Sequence, residues 1–538
     1  MKRMAPRSVA TLGIAIIITL DLGCGGGNTP PPPPPPPSDF TFSVGPTAIT
    51  VISGTTSPPS VVSTAAKNGF SSPITVSFSG LPAGITPSPS SPFTINPGTA
   101  QEINFTVPAA ASPGSFTLQF SAVGGGLSKS NSLTLKVTSP PVIRTYEDSD
   151  MLFMESDTGS EVIRVGLLKS WGGSITEVSI NGTNYVNTND PGRELQAELW
   201  DGNTPSLSDP GFWGTVQAGD HDYNGSPLLA ETLTADSLYI KTQPLHWLPE
   251  DFGGGSSPSP SDIYFEQWIT PVAESVRAFK IHYKITHFGS DTHANAGQEF
   301  PAVYLNRGVD RFMYYGGTSP WSYDALSSFT MPDLPNLSPL LYTPESWGAY
   351  VDANGTGIAV YTPGSYPYSV GFDNPGPSPN GTNDFSPSTC FTFSPGAILE
   401  SNIYVIAGPV EEARSVIYSL RHQETGPSPF TPWTNVDQPG AGDSIRGTAY
   451  SISGWAFGTS DIEDVEVLAD GAVAGHATYG SQLQGFENFF PHHSENTGFS
   501  YVMDTTKFSN GAHTIVLRVT DANGNVAVHP TIPVTIAN

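Results

Sequence analysis

Reactive side chains gather in four short stretches between residues 189 and 307. In the turn Asn189-Asp190-Pro191-Gly192-Arg193-Glu194, an arginine stands beside acids. A guanidinium fork can grip a carboxylate or sugar hydroxyls bidentately, with a paired acid to orient it; the plainer reading is a salt bridge that pins the turn. Asp220-His221-Asp222-Tyr223 sets a histidine between two aspartates. Flanking carboxylates favour the charged imidazole, which suits general-acid work, and Tyr223 could take a proton. On a strand, His221 and Tyr223 would share a face; on a surface loop the cluster is only polar. His246-Trp247-Leu248-Pro249-Glu250-Asp251 puts an indole, on which a pyranose face stacks, beside acids, against the reading of an exposed loop with incidental charges. Finally, Glu299 lies just before the apolar run Phe300–Leu305 and Asn306-Arg307 just after it. A carboxylate at a strand end can act as acid or base with its pKa set by burial, or it can pair with an arginine across the sheet.

These stretches assign catalytic roles to Arg193, His221, Tyr223 and Glu299. Substrate contacts fall to Asp190, Trp213, His246, Trp247, Glu250, Arg307 and Trp321, with Trp213, Trp247 and Trp321 as stacking platforms. In a lyase, Arg193 would neutralise a uronate carboxylate while His221 or Tyr223 abstracts the adjacent proton. In a hydrolase, Glu299 would pair with Glu250 or Glu266.

Other chemistries are disfavoured. His282, His287 and His293 lack zinc-like spacing and no predicted helix carries them, so no metal is expected. Residues 521–525 (DANGN) lack the rest of a twelve-residue calcium loop and read as a hairpin turn. With no P-loop, no dinucleotide glycine fingerprint and no GxSxG elbow, neither nucleotide nor cofactor is expected. A formal net charge of −27 would repel phosphate backbones, which makes nucleic acid a poor partner.

The elements that must position these residues are strands. The 56 glycines and 52 prolines punctuate short runs of Val, Ile, Thr, Phe and Tyr, and only residues 410–422 show a helical period. The centre of the organisation is residues 171–200, where two β-type runs (174–180 and 183–187) flank Asn181-Gly182, the strongest hairpin signal available. A chain of 538 residues exceeds one core and implies three or four domains. The two cysteines, Cys24 and Cys390, make no disulfide framework, and Cys390 reads as a small core residue.

In chain order, residues 1–24 have a basic start, an apolar stretch and then Leu22-Gly23-Cys24, an export signal too short to span stably. Its end resembles a bacterial lipobox, with Asp21 where leucine is usual, and the resemblance implies a lipid anchor on Cys24. Residues 25–38, including the run Pro30–Pro37, form a stiff tether. Residues 39–138, through Ser79-Gly80-Leu81-Pro82-Ala83-Gly84 and Pro113-Gly114-Ser115-Phe116-Thr117-Leu118, resemble the immunoglobulin-like modules of bacterial surface proteins, read as a spacer. Residues 139–425 hold most of the tryptophans and histidines. Their opening, Gly172-Gly173-Ser174-Ile175-Thr176-Glu177-Val178 with Ile180-Asn181-Gly182 and Tyr185, resembles the galactose-mutarotase-like fold, a large two-sheet sandwich. That resemblance implies a sugar epimerase, a polysaccharide lyase or glycosidase sandwich, or a sugar binder. Residues 253–262 (GGGSSPSPSD) read as a flexible insertion and 426–441 as a linker. Residues 442–538 resemble a second bacterial immunoglobulin-like domain, through Gly454-Trp455-Ala456, Gly498-Phe499-Ser500-Tyr501 and Asn510-Gly511-Ala512-His513-Thr514-Ile515.

The reading is therefore an all-β, exported protein of three sandwiches, a surface or outer-membrane lipoprotein or else simply secreted. Its large central sandwich binds or processes carbohydrate as a lyase or glycosidase; the alternative is a non-catalytic glycan binder or adhesion scaffold.

Overall fold

The structure, a computed structural model, describes residues 35–188, 192–200, 214–252, 255, 257–330, 340–371, 381–486 and 494–538. Cys24 and the export signal, together with Asp190 and Trp213, lie outside the described residues. Strands dominate, and alternation is the reason. Ala278–His287 (AFKIHYKITH) and Ile263–Pro271 (IYFEQWITP) bury nearly every second side chain, the period a strand takes when one face lies on a core. Those buried residues meet in register, Phe265 opposite Ile285 and Ile269 opposite Ile281.

Each sandwich has its own hydrophobic core, and the three follow one another along the chain. The first, from Phe40 to Val137, lies between a 4-stranded and a 5-stranded sheet. The largest runs from Leu152 to Phe430, between a 12-stranded and a 9-stranded sheet. The third, from Ile445 to Ile536, fills the space between a 4-stranded and a 6-stranded sheet. The fold is all-β, with a large two-sheet sandwich flanked by two smaller ones. The hairpin at Asn181-Gly182 forms as its sequence requires, with both residues at positive φ (50° and 81°) and Ile180 opposite Thr183.

One α-helix is present among the described residues, Val410–Leu420. Glu411 and Glu412 lie in its first turn, where carboxylates meet the positive end of the helix dipole. Val410, Ala413, Ile417 and Leu420 form its apolar stripe and pack against Trp347, Tyr361 and Ile406. Arg414 of this helix is buried with Glu345: the carboxylate accepts from the Arg414 guanidinium (3.4 Å), the Tyr418 hydroxyl (2.5 Å), the Trp321 backbone N–H (2.7 Å) and the Trp347 indole (2.8 Å).

The first sandwich docks directly on this region. Glu102 accepts from Arg421 (2.8 Å) and pairs with His422 (3.1 Å), and the Tyr323 hydroxyl donates to the carbonyl of Pro59 (2.9 Å). On the other side, the Asn525 amide donates to the carbonyl of Ser428 (2.9 Å). The stretch read as a linker, 426–441, contains the strand Trp433–Gln438, paired with Tyr450–Phe457 of the third sandwich. Prolines and glycines on both sides hid its short alternation. The turn at 521–525 joins two strands, with Asp521 N–H donating to Asn525 O.

Candidate functional site

Three neighbouring strands of the 12-stranded sheet build the site: Leu195–Trp200, His293–Asn306 and Thr382–Phe393. In the first, Leu195, Ala197 and Leu199 enter the core, so Gln196 and Glu198 project from the opposite face. In the third, Phe385 enters the core and Asp384 and Ser386 project. The middle strand sends Phe300, Val303 and Leu305 inward and leaves Glu299 and Tyr304 on the outer face. Strict alternation from Glu299 would have turned Tyr304 into the core. A register shift between Glu299 and Val303 inserts the residue that brings both to one side.

The registers place Glu198 opposite Glu299 and Tyr304 opposite Asp384. Glu198 is 4 % exposed, whereas Glu299, Tyr304 and Asp384 are half-buried. Burial drives the Glu198 carboxyl well above its ordinary range; the Glu299 charge adds to this, while the Gln196 amide and Arg193 oppose it. Burial also raises Glu299, against a hydrogen bond from the Ser386 hydroxyl at 3.3 Å. Facing carboxyls titrate as a pair, and of the two it is Glu198 that the charge of its neighbour raises further. The Tyr304 hydroxyl is raised by burial and then by Glu198, Glu299 and Asp384.

Arg193 leads from this floor to a rim. Its guanidinium lies 6.0 Å from the centre of the Trp247 ring. At Gly192 (φ 94°) the same turn rests on tryptophan rings, since a Cβ there would fall 3.5 Å from Trp247 and 3.8 Å from Trp171. The Trp247 ring also approaches that of His221 (6.0 Å), and His221 Nε2 lies 3.0 Å from a Glu250 oxygen. Glu250 is held below its ordinary value by its own backbone N–H and by His221. Arg193 thus stands between two groups: the three carboxyls and a phenol, where its charge reaches Glu198, and the Trp247 indole with the His221–Glu250 pair. This is a site that can hold hydroxylated rings and move protons.

Several expectations need correction. Residues 219–225 form a turn, not a strand: the buried Asp220 carboxylate accepts from the backbone N–H groups of Asp222 and Asn224 and shapes the loop. Tyr223, at φ 66° and 65 % exposed, points to solvent and does not share a face with His221. His246 is buried, 6 % exposed, and desolvation pushes its pKa down to about 4, so it is an interior neutral imidazole and not a substrate contact. Trp321 stands apart from the Glu299 group, at the helix: half-buried between the Arg421 guanidinium (4.7 Å) and the Tyr418 ring (5.1 Å), it lines a separate cavity of about 630 Å³. Arg307 is exposed in the turn after the Glu299 strand. Glu266 accepts from the Tyr239 hydroxyl in the other sheet (2.8 Å) and Glu250 pairs with His221, so the acid facing Glu299 is Glu198. The sequence reading missed Gln196, Glu198, Tyr304, Asp384 and Ser386. The one available signal was the alternation of Leu195-Gln196-Ala197-Glu198-Leu199.

The buried acid has a stability signature. A carboxyl raised in the folded state stabilises most when protonated, and that contribution is lost as pH rises from its ordinary value of 4.5 through the raised one. Glu198→Gln, which cannot ionise, is expected to melt at higher temperature than the unsubstituted protein at pH 7. The gain should vanish below about pH 4.5 in a pH series of thermal melts.

No family model matches the sequence, and no curated protein matches it. Among solved structures the chain is similar to a polysaccharide lyase, at 9% identity over 70% of this chain and 46% of that one, with a TM-score of 0.27. It is similar to a heparinase III, at 8% identity over 59% of this chain and 41% of that one, with a TM-score of 0.27. It is also similar to a three-domain immunoglobulin fragment of titin, at 7% identity over 93% of this chain and 98% of that one, with a TM-score of 0.14. The chain spans less than half the length of the polysaccharide lyase and the heparinase.

Proposed function

We propose that the central sandwich binds an extracellular carbohydrate across Trp247 and Arg193 and cleaves a glycosidic bond by acid–base chemistry at Glu299. The observation that carries this reading is the facing pair Glu198 and Glu299 on the outer side of the sheet, with both carboxyls raised. Glu299, the more accessible member, gives its proton to the leaving oxygen. Burial holds the proton on Glu299, and Asp384, the second acid on the same face, takes a proton from the water that attacks the anomeric carbon. Arg193 supports a lyase version for an acidic polymer: its charge would neutralise a uronate, with the proton taken at His221.

A panel of neutral and acidic polysaccharides tests both. New reducing ends alone support hydrolysis; reducing ends with the ultraviolet absorbance of unsaturated uronates support elimination. If no polysaccharide is cleaved but one retards the protein in an affinity gel, the centre is a binding module and the catalytic reading is wrong.

The export segment and proline tether support a lipid-anchored surface protein held through Cys24. Expressed in a bacterial host, Cys24→Ser should leave the membrane fraction and appear in the soluble one, while the unsubstituted chain stays with membranes. Equal partition of the two would remove the anchor and leave plain secretion.

A further inference from the structure

The chain passes from the 9-stranded sheet to the 12-stranded one between Ala278–His287 and His293–Asn306, and four side chains meet at that corner. Asp262 precedes Ile263–Pro271, His287 ends the next strand, Asp291 lies in the turn and His293 opens the strand that carries Glu299. Nε2 of His287 lies 3.2 Å from Oδ2 of Asp262 and 3.5 Å from Oδ1 of Asp291; Nε2 of His293 lies 3.8 Å from the same Asp291 oxygen. His287 is fully buried and His293 is 6 % exposed, while Asp291 closes the group on the solvent side.

The tautomer of His287 is decided by its other nitrogen, which lies 2.9 Å from the carbonyl oxygen of Ser394. A carbonyl has no proton to give, so Nδ1 carries the hydrogen and Nε2 of the neutral ring is a lone pair. That lone pair faces two carboxylates. Acceptors converging in a buried corner repel one another unless a cation stands between them. The separations of 3.2, 3.5 and 3.8 Å, in a group whose ligand atoms all lie within 4.8 Å of one another, come near the roughly 3.3–3.4 Å between ligands about 2.0–2.1 Å from a tetrahedral zinc. An imidazole held through its far nitrogen by a backbone carbonyl is the usual support of a metal ligand. The backbone fits the same purpose. A Cβ on Gly289 would fall 2.0 Å from Oδ2 of Asp262 and 2.6 Å from Nε2 of His287, so the turn closes over the cluster only because that residue is glycine.

We propose that Asp262, His287, Asp291 and His293 bind one divalent cation of the zinc class. Two imidazole nitrogens with two carboxylate oxygens suit zinc, whereas calcium takes six or more oxygens. Four protein ligands make a closed, structural site. It clamps the corner from which the Glu299 strand departs, and the inference is independent of what that strand does.

The test takes the full chain, strips it with a chelator and dialyses it against zinc chloride. One zinc per chain by elemental analysis, with a rise in melting temperature, is expected. Cobalt(II) in place of zinc should give the intense visible absorption of a tetrahedral ion, a signature that needs no variant. Asp262→Asn and His287→Gln should each weaken zinc binding at least about ten-fold. Gly289→Ala, which keeps all four ligands, should weaken it too, whereas His282→Ala should leave it unchanged. A chain that retains no zinc and melts identically with and without chelator overturns the proposal and leaves a proton as the cation. Uptake of calcium in preference to zinc overturns the assigned metal.

Discussion

Glu299→Gln is expected to lower turnover on a cleaved polysaccharide by about 10²–10⁴, with little change in KM, because general-acid transfer contributes rate enhancement of that order. The glutamine keeps the shape of the side chain and can still meet the Ser386 hydroxyl, which contacts Glu299 at 3.3 Å. It removes only the transferable proton. Folding is not the casualty, since an uncharged group at a buried acidic pair relieves repulsion at neutral pH. A companion measurement separates the two acids. The basic limb of the pH–rate profile reports the ionisation of the acid. Burial, not the Glu198 charge, raises Glu299, so Glu198→Gln should leave that limb in place, whereas a limb that vanishes would make Glu198 the titrating acid. A Glu299→Gln protein as active as the unsubstituted one would end the assignment of Glu299, whatever the panel showed.

Glu345→Ala is expected to cost about 3–5 kcal/mol in the unfolding of the central sandwich, the range for removing one partner of a buried ion pair. Glu345 is 0 % exposed and ties together the Trp321 turn, the Trp347 strand and two helix residues, Arg414 and Tyr418. Without it the Arg414 guanidinium keeps the carbonyl of Asp324, the Tyr418 hydroxyl, the tyrosine rings around it and the more distant Glu411 charge. Adding Arg414→Met should recover much of the loss, because the uncompensated charge goes with it. Three separate cores can give more than one transition, so the measurement follows the one that shifts. A loss under about 1 kcal/mol would mean that the packing around the helix, not the buried pair, holds it to the sheet.

Much of the rim of the site was legible in the sequence, and most of its floor was not. Arg193, His221, Trp247 and Glu250 stood out because unusual residue types lay close together in turns. Glu198, Tyr304 and Asp384 are single polar residues within strands, where an outward side chain normally meets solvent. Nothing local distinguishes one that meets two other strands. Tyr304 had a further obstacle, since counting in twos from Glu299 assigns it to the core, and only the extra residue in the strand reverses that. His287 and His293 were set aside on spacing, yet a turn between two sheets brings their rings to 5.1 Å between centroids. The β class, the hairpin at Asn181-Gly182 and the helix near residues 410–422 were readable because each rests on local period or turn chemistry. Tyr223 was misplaced for the converse reason: a buried aspartate bends the chain where alternation had suggested a strand.

The docking of the first sandwich through Glu102, Arg421, His422, Tyr323 and Pro59 has a mechanical meaning. Were that module a bead on a string, tension between it and the central sandwich would pass along a single strand of backbone. Side-by-side contact instead spreads the pull over an interface. The orientation of the first sandwich on the central one is then set by the fit of two surfaces.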